Sequence, residues 1–172
     1  MVKKAAISFT VVLIAVLVVY YFYPESKLPH QVNIDKLEVL KSKRQLLAYS
    51  KGKLIKTYKI ALGFCPKGRK QVDGDGKTPE GLYFINDKNP RSVFHKNLGI
   101  SYPNREDMLN AKKAGLQPGG SVKIHELSNG KGFIGKFHRW YDWTDGCVAV
   151  TDAEIDELYS HTPIGTPILI KP

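Results

Sequence analysis

Cysteine is scarce in this chain. Only two of the 172 residues are cysteine, Cys65 and Cys147, so at most one disulfide could form and a disulfide-rich scaffold is excluded. The closely spaced C-x2-C pair that structural zinc sites usually show is absent. A single Cys65–Cys147 disulfide remains an alternative, and it would leave no thiol for chemistry.

Repeats, low-complexity tracts and nucleic-acid-binding motifs are also lacking. The ten prolines and fifteen glycines are scattered, which excludes collagen and solenoid architectures. Acidic residues are few, 16 against 26 Lys and Arg, and the formal charge of +10 favours polyanionic partners. Because the basic residues are spread along the chain and match no DNA- or RNA-binding pattern, we expect no nucleic-acid partner. An anionic membrane surface or wall polymer suits this charge equally well.

Long apolar runs are absent except at the N-terminus. The run from Ala5 to Tyr23 is interrupted only by Ser8 and Thr10 and follows two lysines. Its length approximately spans the hydrocarbon core of a bilayer, and the flanking positive charge favours a cytoplasmic N-terminus. We predict that residues 1–23 are a single-pass signal-anchor in the inner (cytoplasmic) membrane, with everything after it extracytoplasmic. A cleaved signal peptide is the alternative.

The rest of the chain has room for one globular domain. Residues 24–32 include two prolines and are predicted to be a short, stiff linker. Residues 33–172 are then a single domain. Apolar alternation and capping signals predict a mainly β fold with a few short helices. The predicted strands are three in a meander between Lys36 and Leu62, then Gly81–Asn86, Ser121–His125 and Pro167–Ile170; the predicted helices are Arg105–Ala114 and Asp152–Tyr159, the second opened by a Thr151/Glu154 capping box.

Cys147 is the candidate nucleophile. It follows Gly146 and precedes an apolar strand, and the N–H groups of Gly146 and Cys147 could hold the oxyanion formed when a thiolate adds to a carbonyl. The thiol needs a base. His125 is the stronger candidate because it ends a strand, which fixes its orientation. His138, nine residues before Cys147, lies in a predicted long loop.

These motifs together resemble the L,D-transpeptidase catalytic domain (YkuD-like). The family pairs a strand-borne Ile-His-Gly with a later Ser/Thr-His-Gly-Cys. The resemblance extends from about Asn33 to the C-terminus. The matching segments here are Ile124-His125-Glu126, Thr144-Asp145-Gly146-Cys147, Gly74-Asp75-Gly76-Lys77-Thr78-Pro79-Glu80-Gly81-Leu82-Tyr83, Ser101-Tyr102-Pro103-Asn104, Asp142-Trp143-Thr144 and Gly165-Thr166-Pro167-Ile168.

This resemblance implies a sandwich- or barrel-like β domain that cleaves the diamino acid–D-alanine bond of peptidoglycan stem peptides. Cys147 would form a thioester and pass the acyl group to an amine. We expect a monomer without cofactor or metal. Supporting or substrate-binding roles are expected for His138, Thr144, Asp145, Tyr102 and Trp143.

Two positions depart from the family's usual pattern, and the first of them makes the chain resemble a subgroup of the family with Trp-Thr-Asp-Gly-Cys. Asp145 replaces a histidine and Glu126 replaces a glycine, and both would add negative charge near the thiol. Such charge disfavours an isolated thiolate but favours imidazolium, so a Cys147–His125 ion pair is expected to survive.

Other functions remain open at this point. Water as acceptor would make the same site a hydrolase of stem peptides or of links between proteins and the wall. From a different class come a wall-binding domain without activity and a zinc-stabilised module using Cys147, His125, His138 and Asp145.

Overall fold

The domain is built on one curled eight-stranded sheet. The computed structural model describes residues 2–172, so Met1, the first residue of the predicted anchor, lies outside the described residues. The strands are β1 Lys36–Leu40, β2 Gln45–Ser50, β3 Lys53–Lys59, β4 Gly81–Ser92, β5 His95–Ile100, β6 Lys123–His125, β7 Val148–Ala149 and β8 Pro167–Lys171. The α-helices are α1 Val2–Phe22, α2 Arg105–Lys113 and α3 Asp152–His161, and 3₁₀ helices cover Lys41–Lys43 and Gly132–Trp140.

The strand order is β3-β2-β1-β8-β4-β5-β6-β7. Neighbours are antiparallel except for the β1–β8 and β6–β7 pairs, which are parallel. Beyond the end of β3, Ala61 exchanges two backbone hydrogen bonds, of 3.0 and 2.8 Å, with Ala149 in β7. Because β3 and β7 are the two edges of the sheet, this bridge curls it into a barrel-like form. The predicted mainly β fold with a few helices is therefore confirmed.

The core lies inside the curl. Alternate residues of the strands point inward, as period-2 geometry requires, and α3 adds Ile155 and Leu158 from one face. Leu28, within the predicted linker, is buried in the same cluster. The largest fully buried side chains include Leu37, Leu46, Tyr58, Tyr83, Leu98 and Ile124.

Local capping signals fix the two helices of the domain. In α3 the Thr151 hydroxyl and the Glu154 carboxylate form the predicted capping box, which satisfies backbone N–H groups of the first turn. Asn104 caps α2 in the same reciprocal way with Asp107. Both helices begin where the sequence predicted.

Three features of the fold were missed or underestimated. β5 was not predicted, because its Asn97 and Gly99 are poor strand formers. It forms because β4 and β6 pair with it on both sides. For the same reason β4 continues through polar residues to Ser92, past the predicted end at Asn86. The 3₁₀ helix Gly132–Trp140 occupies a region predicted to be a loop.

The N-terminal segment is helical, and α1 runs over 21 residues from Val2 to Phe22. Its C-terminal end packs on the 3₁₀ helix Gly132–Trp140, where the Tyr20 ring lies 5.8 Å from that of Phe137. Across the part of the chain that the structure describes, no helix is both long enough and apolar enough to cross a membrane. The anchor assignment is therefore not confirmed.

Candidate active site

The sheet places Cys147 just before β7, the strand that pairs with the His125 strand β6. β6 and β7 are parallel, with Ile124 paired to Val148 and His125 to Ala149. Cys147 immediately precedes β7, so it lies diagonally across from His125. Strand spacing and rise give a Cα–Cα separation of about 8 Å for such neighbours on one face. Among the hydrogen bonds of residues 2–172, none joins the Cys147 thiol to the His125 ring.

The His125 imidazole is held in one orientation. Its Nδ1 lies 2.5 Å from the backbone oxygen of Glu126. A carbonyl oxygen only accepts, so Nδ1 carries the proton and Nε2 keeps a lone pair. The ring packs on Phe94 at 4.4 Å between centroids and meets the Trp143 ring edge-on at 5.8 Å. These contacts hold the ring in place with Nε2 as its unprotonated nitrogen.

Burial sets the resting protonation of this pair. His125 is 4% exposed, and burial holds the pKa of its imidazole below the ordinary value. Burial also raises the pKa of the Cys147 thiol. The backbone N–H and the ammonium group of Lys123 act in the opposite direction and lower this pKa. At neutral pH both groups are therefore uncharged, in contrast to the expected ion pair. The thiol donates to the backbone oxygen of Ser121 at 3.7 Å.

A tight turn presents the thiol. The Thr144 hydroxyl donates to the Cys147 oxygen at 2.8 Å and accepts from the Gly146 N–H at 3.2 Å. The Gly146 N–H is therefore bonded within the turn, and its role in binding the oxyanion stays a prediction. Among the hydrogen bonds of the described residues, none uses the Cys147 N–H. The Thr144 hydroxyl, bonded to two backbone groups, closes the turn.

Asp142 anchors the segment that leads into this turn. Its carboxylate accepts from Arg44 at 2.6 Å and from the Leu62 N–H at 2.9 Å. Leu62 in turn accepts the N–H groups of Trp143 and Thr144, both at 3.1 Å. The nucleophile turn is thus fixed to the chain that follows β3. Arg44 and Asp142 were not predicted as site residues, because nothing in the sequence shows that they pair.

His138 is buried beside Trp143, whose ring contacts His125. It is 1% exposed, and its Nδ1 accepts from the Trp143 indole N–H at 3.4 Å. Burial lowers the pKa of His138 to about 4, so it is neutral at physiological pH. His138 thus contacts the Trp143 side chain, whose ring meets that of His125 edge-on.

Two further residues predicted at the site, Asp145 and Tyr102, differ in exposure. Asp145 is exposed, and its charge raises the pKa of the Cys147 thiol. Tyr102 is buried against Tyr83, and its hydroxyl donates to the Pro118 oxygen at 2.7 Å. Tyr102 therefore belongs to the core, and its role at the site stays a prediction.

Glu126 does not supply the expected negative charge. Burial, together with the neighbouring Asp152 carboxylate, raises the pKa of Glu126 to about 8. Its side chain is therefore largely protonated at neutral pH. Its contribution to the site comes from the backbone oxygen that orients His125.

Both cysteines are free thiols, so the alternative disulfide is not formed. Cys65 is exposed. Over residues 2–172 no three His, Cys, Asp or Glu side chains are grouped so that they could hold a metal ion. The zinc-stabilised alternative has no ligand set in this part of the chain.

The sequence of residues 34–170 matches the YkuD family, the L,D-transpeptidase catalytic domain. The chain belongs to this family. The L,D-transpeptidase domain thus accounts for the curled sheet, and the match spans Cys147 and His125.

Individual relatives agree with this assignment. The domain is 29% identical over 131 residues to "Putative L,D-transpeptidase YafK" of Escherichia coli K12, covering 72% of this chain and 45% of the relative. The chain therefore spans about half the length of this curated relative.

Solved structures show the same fold. Pgp2 of Campylobacter jejuni, a helical cell shape determining protein, superposes with a TM-score of 0.61 at 23% identity. That match covers 82% of this chain and 48% of Pgp2. An L,D-transpeptidase from Mycobacterium smegmatis gives a TM-score of 0.54 at 12% identity, covering 79% and 58%. At these identities the structures establish the fold of the L,D-transpeptidase domain and no more.

Proposed function

We propose that this protein is a peptidoglycan L,D-transpeptidase in which Cys147 forms a thioester with the stem peptide. The observation that carries the proposal is the placement of Cys147, just before β7, diagonally across from His125 on the parallel strand β6. The imidazole Nδ1 donates to the Glu126 backbone oxygen. This leaves Nε2 available to the thiol. Membership of the L,D-transpeptidase family supports the choice of substrate.

The first half-reaction releases D-alanine. The Cys147 sulfur attacks the carbonyl carbon that joins the diamino acid to D-alanine, and its proton passes to His125 Nε2. The N–H of Cys147 donates to the oxyanion that forms. The C–N bond then breaks, and His125 returns the proton to the departing amine. A thioester between Cys147 and the stem remains.

The second half-reaction transfers the acyl group. The amine of a neighbouring stem attacks the thioester carbon and gives its proton to His125. The C–S bond breaks, and the sulfur recovers a proton. Because both half-reactions use His125 as the base, the same geometry serves the forward and return proton transfers. Water in place of the amine gives hydrolysis from the same thioester, so acceptor access decides the outcome.

A muropeptide assay tests the transferase proposal. Incubating the purified protein with a defined tetrapeptide stem and an amine acceptor is expected to yield free D-alanine and a cross-linked product. Mass spectrometry would measure both. Product containing the acceptor supports transfer, whereas a tripeptide stem alone would show that the domain is a hydrolase. Absence of D-alanine release both with and without the amine acceptor would contradict the proposed reaction.

We further propose that the domain works outside the cytoplasm, held at the inner membrane by α1. Apolar side chains along α1, including Phe9 and Phe22, are exposed at 72% and 74% and are not covered by the domain. The proposed substrate also lies outside the cytoplasm.

Cys65 offers a topology probe because it is exposed. In a Cys147→Ala background it is the single thiol, and a membrane-impermeant maleimide is expected to label it in intact spheroplasts. Lysed spheroplasts serve as the control. Labelling that requires lysis would contradict the proposed location.

A further inference from the structure

One carboxylate organises the loop between β3 and β4. Asp75 accepts from Lys70 Nζ at 2.8 Å and from the N–H groups of Gln71, Val72 and Lys77 at 2.8, 3.1 and 3.0 Å. Lys70 Nζ also donates to the Val72 oxygen at 3.0 Å. The Lys70 residue as a whole is 4% exposed. This Lys70–Asp75 pair fixes the backbone of residues 70–78, called here the 70–78 loop.

The 70–78 loop lies directly against the turn that carries Cys147. A Cβ added to Gly146, which has φ +131°, would lie 2.5 Å from the Lys77 oxygen and 3.8 Å from Lys70 Cδ. A Cβ added to Gly63 would lie 2.1 Å from the Gly76 oxygen. The backbones therefore pack with no side chain between them. A shift of the 70–78 loop would therefore displace Gly146 and the backbone N–H of Cys147.

We propose that the Lys70–Asp75 pair is a positioning device for the oxyanion-binding N–H of Cys147, acting by holding the 70–78 loop against Gly146. This inference rests on the proposed acyl-transfer function. Neither side chain is placed to touch substrate, since their exposed fractions are 3% for Lys70 and 12% for Asp75. A shift of about 1 Å in such a group is expected to lower the rate by about 10²-fold.

Two reagents separate positioning from simple thiol reactivity. Iodoacetamide forms a C–S bond and expels iodide without forming an oxyanion. Imipenem acylates the thiol differently: the sulfur bonds to the lactam carbonyl carbon as the oxyanion forms, and the lactam C–N bond then breaks while its nitrogen takes a proton. Loss of oxyanion support slows acylation alone. The Lys70 charge lowers the pKa of the thiol, so each rate is compared at its pH-independent limit.

Three variants test the pair. Asp75→Asn removes the charge of the acceptor, and Lys70→Met/Asp75→Asn removes both charges so that no buried charge is left unpaired. Lys70→Arg keeps the ion pair and is expected to retain acylation. The matched control is Asp73→Asn, because Asp73 is exposed in the same loop.

The first two variants are expected to lose about 10- to 100-fold in the rate of acylation by imipenem, with alkylation changed less than about 2-fold. Equal losses in acylation and alkylation, or unchanged acylation, would overturn the positioning role. So would a Lys70→Arg variant that loses as much acylation as Asp75→Asn. A wild-type protein that imipenem does not acylate at Cys147 would instead contradict the proposed function.

Discussion

Replacing Cys147 by alanine is expected to lower D-alanine release from a tetrapeptide stem by at least about 10³-fold, because no other group supplies the nucleophile. The turn around it should stay intact, since Thr144 bonds the backbone of residue 147 and not its side chain. Release of D-alanine, measured by coupled oxidase assay or mass spectrometry, reports the loss.

The chain provides a matched control for this substitution. Cys65 is the other cysteine and is exposed, so Cys65→Ala is expected to keep wild-type activity. A Cys147→Ala protein with more than a tenth of wild-type activity would rule out the thioester route. Equal losses in both variants would show that the effect is not specific to the nucleophile.

His125→Gln is expected to lower kcat/KM by about 10²- to 10⁴-fold, the usual contribution of a positioned acid–base group. Glutamine can still donate toward the Glu126 oxygen but cannot accept the thiol proton. An exposed histidine, His30, provides the control substitution His30→Gln, which should leave the rate unchanged.

The pH profile gives a second readout for His125. Burial lowers the pKa of the imidazole and raises that of the thiol. Activity is lost on the acid side only when the imidazole is protonated, so the acid limb should lie below about pH 6.5, the ordinary histidine value. The alkaline limb should lie above the ordinary thiol range. An acid limb above pH 7 would contradict the neutral resting pair.

The sequence predicted those parts of the fold whose signals are local. The meander of β1 to β3 follows from apolar alternation, and α3 begins at the Thr151/Glu154 capping box as expected. β5 has no comparable local signal and forms because partners lie on both sides. Tertiary pairing therefore decided the strands that the sequence did not reveal.

The candidate site likewise combines features that local sequence predicts with features that depend on tertiary contacts. Cys147 and His125 were predicted as nucleophile and base because their sequence contexts are recognisable and resemble a known motif. The role of Thr144 in closing the turn, and the occupied N–H of Gly146, depend on three-dimensional contacts. The protonation of Glu126 depends on burial and on Asp152, which lies on a distant part of the chain. Such effects cannot be read from residue types alone.

The central claim is that the stem peptide becomes attached to the sulfur of Cys147. The most direct measurement is acid quenching of the protein during turnover of a tetrapeptide stem, followed by peptide mapping by mass spectrometry. We predict that the peptide containing Cys147 gains the mass of the stem without its D-alanine, as a thioester that hydroxylamine removes. D-alanine release with the acyl group attached to another residue would contradict this account.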